Sequence, residues 1–230
     1  MAKAKGRSSG SGRGLTVRVK TARGRKVGQT EWLRRQLNDP YVARAKAEGR
    51  RSRAAYKLIE MDDKYHLLKP GKRVVDLGAA PGGWTQVAVE RVRPGERGGL
   101  VVGLDVNPWD PVAGATCLTL DFLDPTAPDV LKQALNGKAD LVLSDMAAPA
   151  TGHGATDHLR IIGLAEVAWS FAAEVLAPGG TFVCKVFQGG TEHELLKLIK
   201  SRCAVVRHAK PPASRKESAE VYVIATGFKG

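Results

Sequence analysis

The sequence predicts a single α/β domain built on a mainly parallel β-sheet with helices on both faces. From residue 73 onward, short apolar runs typical of strands alternate with longer stretches typical of helices, and strands that alternate with helices usually pair in parallel. The chain has 230 residues, of which 43% are hydrophobic, so it is long enough to bury one sizeable core.

The strands are predicted from apolar, β-branched runs that end in turn residues. Seven are expected, at residues 73–77, 100–105, 117–120, 140–145, 181–187, 203–207 and 220–226. Helices are expected between them, at residues 83–92, 126–136, 156–176 and 191–201. Because the carboxyl ends of parallel strands share one edge of a sheet, a ligand is expected at that edge.

The region before the first strand is predicted to be helical and to belong to the same domain, residues 27–230. Three helices are expected there, at residues 30–37, 41–50 and 52–66. Arg50, Arg51 and Arg53 fall at the start of the last helix, where the helix dipole disfavours cations. This unfavourable placement indicates a binding function, with a solvated surface as the alternative.

The net charge of +13 is distributed unevenly along the chain. Residues 1–57 contain 17 basic and 3 acidic side chains, whereas residues 58–230 contain 19 basic and 20 acidic ones. Within the second part, residues 197–216 carry seven basic side chains and no acidic one. Two basic segments therefore flank a net-acidic body, and this pattern favours a polyanionic partner.

Residues 1–26 are predicted to form a flexible basic arm. They contain nine basic residues, five glycines and no acid, a composition that buries too little apolar surface to order itself. The arm either grips a phosphate backbone or acts as a solubilising tail. A mitochondrial transit peptide is a weaker alternative, because the arm has too few apolar residues for an amphipathic helix.

The composition also indicates the cellular compartment in which the protein is expected. The sequence contains no apolar run of about 18 residues, so a membrane-spanning segment is not expected. The three cysteines, Cys117, Cys184 and Cys203, form no C-x-x-C pair, and this favours a reducing, cytoplasmic environment over a disulfide framework or a zinc ribbon. His153 and His158 lack a third ligand, so no metal site is expected.

Carboxylates follow four of the predicted strands, at Asp76, Asp105, Asp121 and Asp145. A carboxylate at a strand end costs desolvation energy unless it is paired, so four of them indicate a ligand site rather than four helix caps. Asp105 is placed to accept hydrogen bonds from ribose hydroxyls, and Asp121 from an adenine amino group.

The turn after the first strand, Asp76-Leu77-Gly78-Ala79-Ala80-Pro81-Gly82-Gly83-Trp84, lets a ligand approach the backbone closely. It matches neither the G-x-G-x-x-G dinucleotide motif nor the G-K-[ST] phosphate loop, which argues against a nicotinamide-dependent dehydrogenase. A glycine-rich turn without a phosphate-binding motif is better suited to a nucleoside, and we interpret the ligand as S-adenosylmethionine.

Several motifs in a fixed order resemble the FtsJ/RrmJ family of S-adenosylmethionine-dependent RNA ribose 2′-O-methyltransferases. They are residues 52–58, 76–84, 143–147, 183–189 and 220–222, and the resemblance runs from about residue 30 to the end of the chain. It implies a Rossmann-like methyltransferase fold with a mostly parallel seven-stranded sheet. Within the family, the sequence is most similar to the branch that methylates a uridine of large-subunit (23S) ribosomal RNA.

The resemblance also implies the functional residues. The family's Lys-Asp-Lys-Glu tetrad falls on Lys57, Asp145, Lys185 and Glu220. Cofactor contacts carry over to Gly82, Trp84, Asp105, Asp121 and Asp145, in addition to Asp76 and Gly78 of the same turn. The loop after Asp145 departs from the family pattern by one extra alanine, which affects the path of substrate entry but leaves the tetrad complete.

A tetrad of this kind suits methyl transfer to a hydroxyl. A neutral hydroxyl is a poor nucleophile, so a neighbouring group must take its proton as the methyl arrives. A lysine does this only if burial or nearby cations lower its pKa. Lys185 is expected to be the base or to orient the hydroxyl, Lys57 and Glu220 to position, and Asp145 to bridge the cofactor and the tetrad.

The basic segments lead into two tetrad residues, so we expect them on the rim of one cleft. The expected RNA-binding side chains are Arg50, Arg51, Arg53, Lys210, Arg215 and Lys216. The expected partner is ribosomal RNA within the large subunit, bound by a monomer. A tRNA ribose methyltransferase and a non-catalytic ribosome-assembly factor are the alternatives.

Overall fold

A computed structural model describes residues 27–149, 151–189 and 193–230. The expected basic arm, residues 1–26, lies outside the described residues. Over the described part, the chain forms seven strands, β1 to β7, in one sheet. Their bounds are Arg73–Leu77, Leu100–Asp105, Thr116–Thr119, Ala139–Ser144, Leu176–Phe187, Cys203–Ala209 and Glu220–Phe228. Seven described helices, α1 to α7, span Val27–Leu37, Pro40–Ala47, Ala55–Tyr65, Gly83–Val92, Ala127–Leu135, Gly154–Val175 and His193–Arg202.

The strand order confirms the mostly parallel sheet. It runs β3-β2-β1-β4-β5-β7-β6, with β1 to β5 parallel to one another. β7 enters between β5 and β6 and runs antiparallel to both. This insertion places the first residues of β7 beside the last residues of β5, with Glu220 opposite Phe187 and Tyr222 opposite Lys185.

Helices cover both faces of the sheet, as the sequence predicts. One face packs against α5, α6 and α7 through a cluster that includes Leu131, Trp169 and Ile199. The other packs against α3 and α4 through a cluster that includes Leu58, Trp84 and Tyr222. Among the described helices, none is both long and apolar enough to cross a membrane.

The third helix begins later than the sequence predicts. α3 starts at Ala55, after a turn at Arg53 and Ala54, and α2 has already ended before Gly49, whose φ of 67° lies in the left-handed region. Arg50 and Arg51 therefore lie in the connection between α2 and α3, and the expected conflict with the dipole of this helix is wrong for them. The turn brings α3 across the sheet, with the Trp84 indole N–H donating to the Ala54 carbonyl at 2.8 Å.

Candidate active site

The carboxyl edge of the sheet gathers the four aspartates that the sequence singles out. Asp76 lies in β1, Asp105 ends β2, and Asp145 directly follows β4. Asp121 is exposed and lies beyond β3, which ends at Thr119, one residue before the predicted end. Its carboxylate accepts a hydrogen bond from the Leu123 backbone N–H at 2.9 Å.

A cavity opens among these strand ends. Its lining combines apolar side chains with two of the carboxylates, and consists of Gly78, Leu104, Asp105, Val106, Asp121, Phe122, Met146, Ala147 and Leu164. Apolar walls with a few convergent polar groups are typical of small-molecule sites. We call this the edge cavity. Of the seven expected cofactor contacts, it brings together Gly78, Asp105 and Asp121.

Two glycines after β1 stand where a side chain would not fit. Gly78 has a φ of 78°, and a Cβ there would lie 2.8 Å from the Met146 backbone, so the turn after β1 approaches the end of β4 more closely than any side chain permits. Gly82, with a φ of 102°, precedes α4 as its N-cap. A Cβ at Gly82 would meet the Arg51 guanidinium at 2.9 Å.

Asp105 organises the loops around the edge cavity. It is nearly buried, and its two oxygens accept from the Ala80 N–H at 2.9 Å and the Asn107 N–H at 2.8 Å. The Asn107 side-chain amide donates to the same carboxylate at 3.0 Å. Since a carboxylate offers about four acceptor positions, Asp105 retains capacity for a ligand hydroxyl.

Asp76 is fully buried beneath the same edge. The Thr85 hydroxyl donates to one of its oxygens at 2.6 Å, and the other oxygen has no partner among the described residues. Burial, reinforced by the negative charges of Asp145 and Asp105, raises the pKa of Asp76 to about 7. Near neutral pH this carboxyl is therefore divided between its neutral and charged forms.

We expect Asp76 to make stability depend on pH between about 4 and 7. Its pKa is higher in the folded than in the unfolded chain, so folding loses about 1.4 kcal/mol per pH unit as pH rises through this window, and nothing more above it. Urea unfolding of wild type and Asp76→Asn at pH 5, 6, 7 and 8 measures the difference. An equal pH slope in the two proteins would contradict the assignment.

The other half of the site is the expected tetrad, and the structure brings all four side chains together. Lys185 and Tyr222 face each other across β5 and β7, so they project from the same face of the sheet. α3 crosses this face and places Lys57 beside Glu220, with the two charged groups 2.7 Å apart. Lys57 and Lys185 are each 8% exposed.

Lys185 is the partner of Asp145. Its Nζ lies 3.2 Å from Asp145 Oδ1 and donates to the Asp145 backbone carbonyl at 2.7 Å. Burial alone would raise the pKa of Asp145, but the Lys185 and Lys57 ammonium groups and the Tyr222 hydroxyl outweigh burial and lower it. Asp145 is therefore an ionised carboxylate, and it holds the Lys185 ammonium directly.

Tyr222 connects the two ion pairs, although no role is predicted for it from the sequence. Its hydroxyl donates to Asp145 Oδ1 at 2.8 Å and accepts from Lys57 Nζ at 3.1 Å. Burial and the Asp145 and Glu220 carboxylates raise the pKa of this phenol well above its usual value, so it remains a donor. Its place two residues after Glu220, on the same face of a strand, is the signal available in the sequence.

Glu220 has a further partner, Ser214, which is also not predicted from the sequence. The hydroxyl of Ser214, in the loop before β7, donates to Glu220 Oε1 at 2.8 Å. Ser214 is 4% exposed, so this hydrogen bond is shielded from solvent. Ser214 and Lys57 therefore approach the Glu220 carboxylate from two different elements and fix its orientation.

Trp84 and Gly82, two other expected cofactor contacts, lie outside the lining of the edge cavity. Trp84 is 3% exposed and packs against the Tyr222 ring, with centroids 5.5 Å apart. Its side chain therefore packs against a residue that contacts the tetrad, and its role as a cofactor contact stays a prediction. Asp145 joins the tetrad and follows directly after β4, whereas the next residue, Met146, lines the edge cavity.

The six side chains expected to bind RNA do not lie together. Two of them line one cleft, three contact other residues of this protein, and the sixth, Lys216, is exposed. Arg53 and Arg215 line a cleft that opens on Lys57 and Glu220. Arg50 pairs with Glu90 at 2.5 Å, and Lys210 donates to the Ser218 carbonyl at 2.6 Å.

Arg51, like Arg50 and Lys210, contacts other residues of this protein. Its guanidinium donates to the backbone carbonyls of Pro81, Asp110 and Pro111, and so braces the loops beside the edge cavity. Lys216 is exposed. An RNA-binding role for all six stays a prediction, with Arg53 and Arg215 placed next to the tetrad.

Metal-binding residues were not expected, and that prediction stands untested. Within the described ranges, no three His, Cys, Asp or Glu side chains are grouped as they would be around a metal ion. His158 instead packs against the ring of Phe187, with centroids 6.3 Å apart.

The seven-stranded sheet in the order β3-β2-β1-β4-β5-β7-β6, with a cavity at the carboxyl edge of its parallel strands, is that of a Rossmann-like methyltransferase. Residues 50–228 match the family described as FtsJ-like methyltransferase, and the chain belongs to this family. The resemblance that the sequence motifs carry is thereby confirmed, as is the expectation that the chain is a methyltransferase.

Relatives with curated names are similar to nearly the whole chain. A Rhodospirillum rubrum protein named ribosomal RNA large subunit methyltransferase E is 68% identical over 219 residues, 95% of this chain and 83% of its own length. A Paramagnetospirillum magneticum protein of the same name is 65% identical over 236 residues, 99% of this chain and 96% of its own. A crystal structure of a Plasmodium falciparum ribosomal RNA methyltransferase superposes with a TM-score of 0.70 at 32% identity, covering 78% of this chain and 99% of that one.

Proposed function

We propose that this chain transfers a methyl group from S-adenosylmethionine to the 2′-hydroxyl of a uridine ribose in 23S ribosomal RNA of the large subunit. The observation that carries the proposal is the pair of buried lysines, each with its own carboxylate and both joined through Tyr222. The names of the curated relatives support an RNA of the large ribosomal subunit as the substrate.

The edge cavity fits the proposed cofactor. Leu104, Phe122 and Leu164 offer apolar contact to a purine, and Asp105 and Asp121 offer acceptors for ribose hydroxyls and an amino group. The nearby carboxylate of Asp145 favours a positive charge. S-adenosylmethionine supplies, when bound, a methyl group on a positively charged sulfur.

The tetrad residues act on the hydroxyl. Two ammonium groups held within one buried cluster favour a developing negative charge on the ribose oxygen. As a neutral amine Lys185 accepts the hydroxyl proton, or as an ammonium it orients the hydroxyl toward the methyl group, since its Nζ is fixed by both the side chain and the backbone of Asp145. Lys57 and Glu220 position the ribose from the side of the cleft.

The distribution of charge supports an RNA partner. The basic residues concentrate in the first 57 residues and in residues 197–216, and Arg53 and Arg215 from these segments meet beside Lys57. Phosphate contacts of this kind fix the position of an RNA without reading its sequence. A monomeric, cytoplasmic enzyme with a phosphate-gripping arm at residues 1–26 stays a prediction.

The test is methyl transfer to purified bacterial RNA. The protein is incubated with labelled S-adenosylmethionine and either large ribosomal subunits from cells lacking the enzyme or unmodified tRNA, and the modified nucleotide is mapped. We expect one ribose 2′-O-methyluridine in 23S rRNA. Methylation of tRNA alone would support the alternative branch, and no transfer to any RNA, with RNA binding intact, would support a non-catalytic assembly factor.

We expect Asp105→Ala to weaken S-adenosylmethionine binding about tenfold or more, because hydrogen bonds to a charged group contribute about 1.5–3 kcal/mol. Isothermal titration calorimetry measures the dissociation constant. Asp129→Ala is the control, since Asp129 is an exposed acid of α5 whose side chain is 86% accessible. An unchanged constant for Asp105→Ala would remove Asp105 from the cofactor site.

A further inference from the structure

A second basic surface lies away from the tetrad, where α7 ends and β6 begins. Its four exposed cations are Lys197, Lys200 and Arg202 of α7 and Lys229, which directly follows β7. We call these four residues the distal basic surface. The RNA contacts expected from the sequence lie elsewhere and include none of the four.

Strand β7 runs from the tetrad to this surface. Tyr222, near its start, contacts Asp145 and Lys57, whereas Phe228, at its end, pairs with Cys203, the first residue of β6. Between these two positions of β7 the strand advances by about 3.3 Å per residue, which separates them by about 20 Å. A phosphodiester held at the tetrad therefore does not reach the distal basic surface, and a ligand that contacts both must be large.

The segments that carry the distal basic surface contain few acids. After Glu194, in the first turn of α7, the next acid of the chain is Glu217, and no acid follows Glu220. Among the ion pairs of the described residues, none involves a member of the distal basic surface. Its positive charge is therefore available to a partner.

Arg202 is held in place without using its hydrogen-bond donors. Its guanidinium lies over the ring of Phe228, 5.4 Å from the centroid, and this ring is 3% exposed and packs edge-on against Trp169. Lys229 lies beside it, since its backbone N–H donates to the Arg202 carbonyl at 2.9 Å and its Nζ to the Ser201 carbonyl at 3.1 Å. A guanidinium stacked on a ring keeps its N–H groups free for the oxygens of a phosphate.

The side chains around these cations favour a double-stranded RNA. Unpaired bases bind by stacking on exposed aromatic side chains. Phe228 is buried beneath Arg202, and the exposed apolar neighbours in α7 and β6 are the aliphatic Leu198 and Val205. Positive charge without an aromatic platform suits a phosphate backbone, through which double-stranded RNA is bound largely without regard to sequence.

We propose that the distal basic surface binds the phosphate backbone of an RNA helix, as a second contact with the folded substrate RNA about 20 Å from the ribose that is methylated. The proposal rests on the proposed function, because it takes structured ribosomal RNA as the substrate. A second contact raises the affinity for a folded RNA that reaches both places at once, and does nothing for a short strand bound at the tetrad alone.

The test removes three of these charges at once. The probe is an RNA duplex of about 16 base pairs without protein, with binding measured from about 50 to 300 mM salt. We expect the triple variant Lys197→Ala, Lys200→Ala, Arg202→Ala to weaken duplex binding about 30-fold. The slope of log affinity against log salt is expected to fall by about two to three, since each lost phosphate contact removes about one.

The matched control removes the same charge from another part of the surface. It combines Lys69→Ala, Arg93→Ala and Arg97→Ala, three exposed cations that precede β1 and β2. These strands are separated from β6 by β4, β5 and β7. We expect the control to bind the duplex as wild type does, apart from a small loss that follows from net charge.

A second probe connects the surface to catalysis. With large ribosomal subunits from cells lacking the enzyme, the triple variant is expected to raise KM without changing kcat or cofactor affinity. Equal duplex binding by the triple variant and the control would overturn the proposal. Weaker binding to subunits with unchanged duplex binding would also overturn it, and would assign the surface to a protein of the subunit.

The two proposals fail in different ways. If wild type transfers no methyl group to any RNA while the triple variant still loses duplex binding, the proposed function is wrong and the distal basic surface remains an RNA-binding surface. Arg202→Lys separates charge from structure, because it keeps the cation but loses the planar group stacked on Phe228. We expect this variant to keep the wild-type salt slope with a lower affinity.

Discussion

Lys185→Met is expected to reduce methyl transfer by roughly 10²- to 10⁴-fold while S-adenosylmethionine still binds. Methionine has a similar length and fills the buried space without leaving a cavity, so the packing around β5 persists. What disappears is the ammonium group 3.2 Å from Asp145 Oδ1. Single-turnover transfer of a labelled methyl group measures the chemical step, and calorimetry measures cofactor binding.

Lys72→Met is the matched control for this experiment. Lys72 is also partly buried and also donates to a backbone carbonyl, that of Leu67 at 2.8 Å, but it lies just before β1, at the opposite edge of the sheet. We expect the control to retain wild-type transfer. Full activity in Lys185→Met would show that Lys185 neither accepts the proton nor orients the hydroxyl.

The fold could be predicted because the patterns that indicate its strands and helices lie within short stretches of the sequence. The alternation of strands and helices from Arg73 onward is visible in the sequence, and the parallel sheet follows from it. The position of β7 is not local. Nothing in residues 220–228 shows that this strand enters between β5 and β6, yet this insertion places Tyr222 opposite Lys185.

The tetrad could be predicted because its members lie in motifs that resemble a known family. The contacts between them could not, because hydrogen bonds between residues 77 positions apart, such as that from Tyr222 to Asp145, leave no spacing pattern. The same limit applies to the basic residues. The sequence shows Arg50-Arg51 as a positively charged pair. In the fold, Arg50 forms an ion pair with Glu90, and Arg51 donates to the Pro81 and Pro111 carbonyls. Arg35, in α1 and not among the side chains expected to bind RNA, faces the cleft instead.

Asp145→Asn is expected to cost as much activity as the loss of Lys185, about 10²- to 10⁴-fold. The carboxylate is the negative charge that Lys185 contacts directly and that Tyr222 links to Lys57. Asparagine keeps an acceptor for the Tyr222 hydroxyl but leaves Glu220 as the one tetrad acid facing two ammonium groups. Their repulsion is expected to displace Lys185 from the position that serves the ribose hydroxyl.

The same substitution is expected to destabilise the folded chain, by about 3 kcal/mol at pH 7, because it leaves a buried ammonium without its counter-charge. The pKa of Asp145 is lower in the folded than in the unfolded state, so its contribution is complete above about pH 4 and is lost as pH falls further. Urea unfolding at pH 7 measures the cost.

Asp140→Asn is the control for both effects. Asp140 belongs to the same strand, β4, but lies at its start, where the carboxylate accepts from the Arg73 backbone N–H at 2.8 Å. It is partly buried, like Asp145, and no lysine of the tetrad contacts it. We expect Asp140→Asn to lose some stability and no activity when folded. If Asp145→Asn also keeps full activity in the folded fraction, the two lysines do not depend on this carboxylate, and Asp145 has no part in the chemistry.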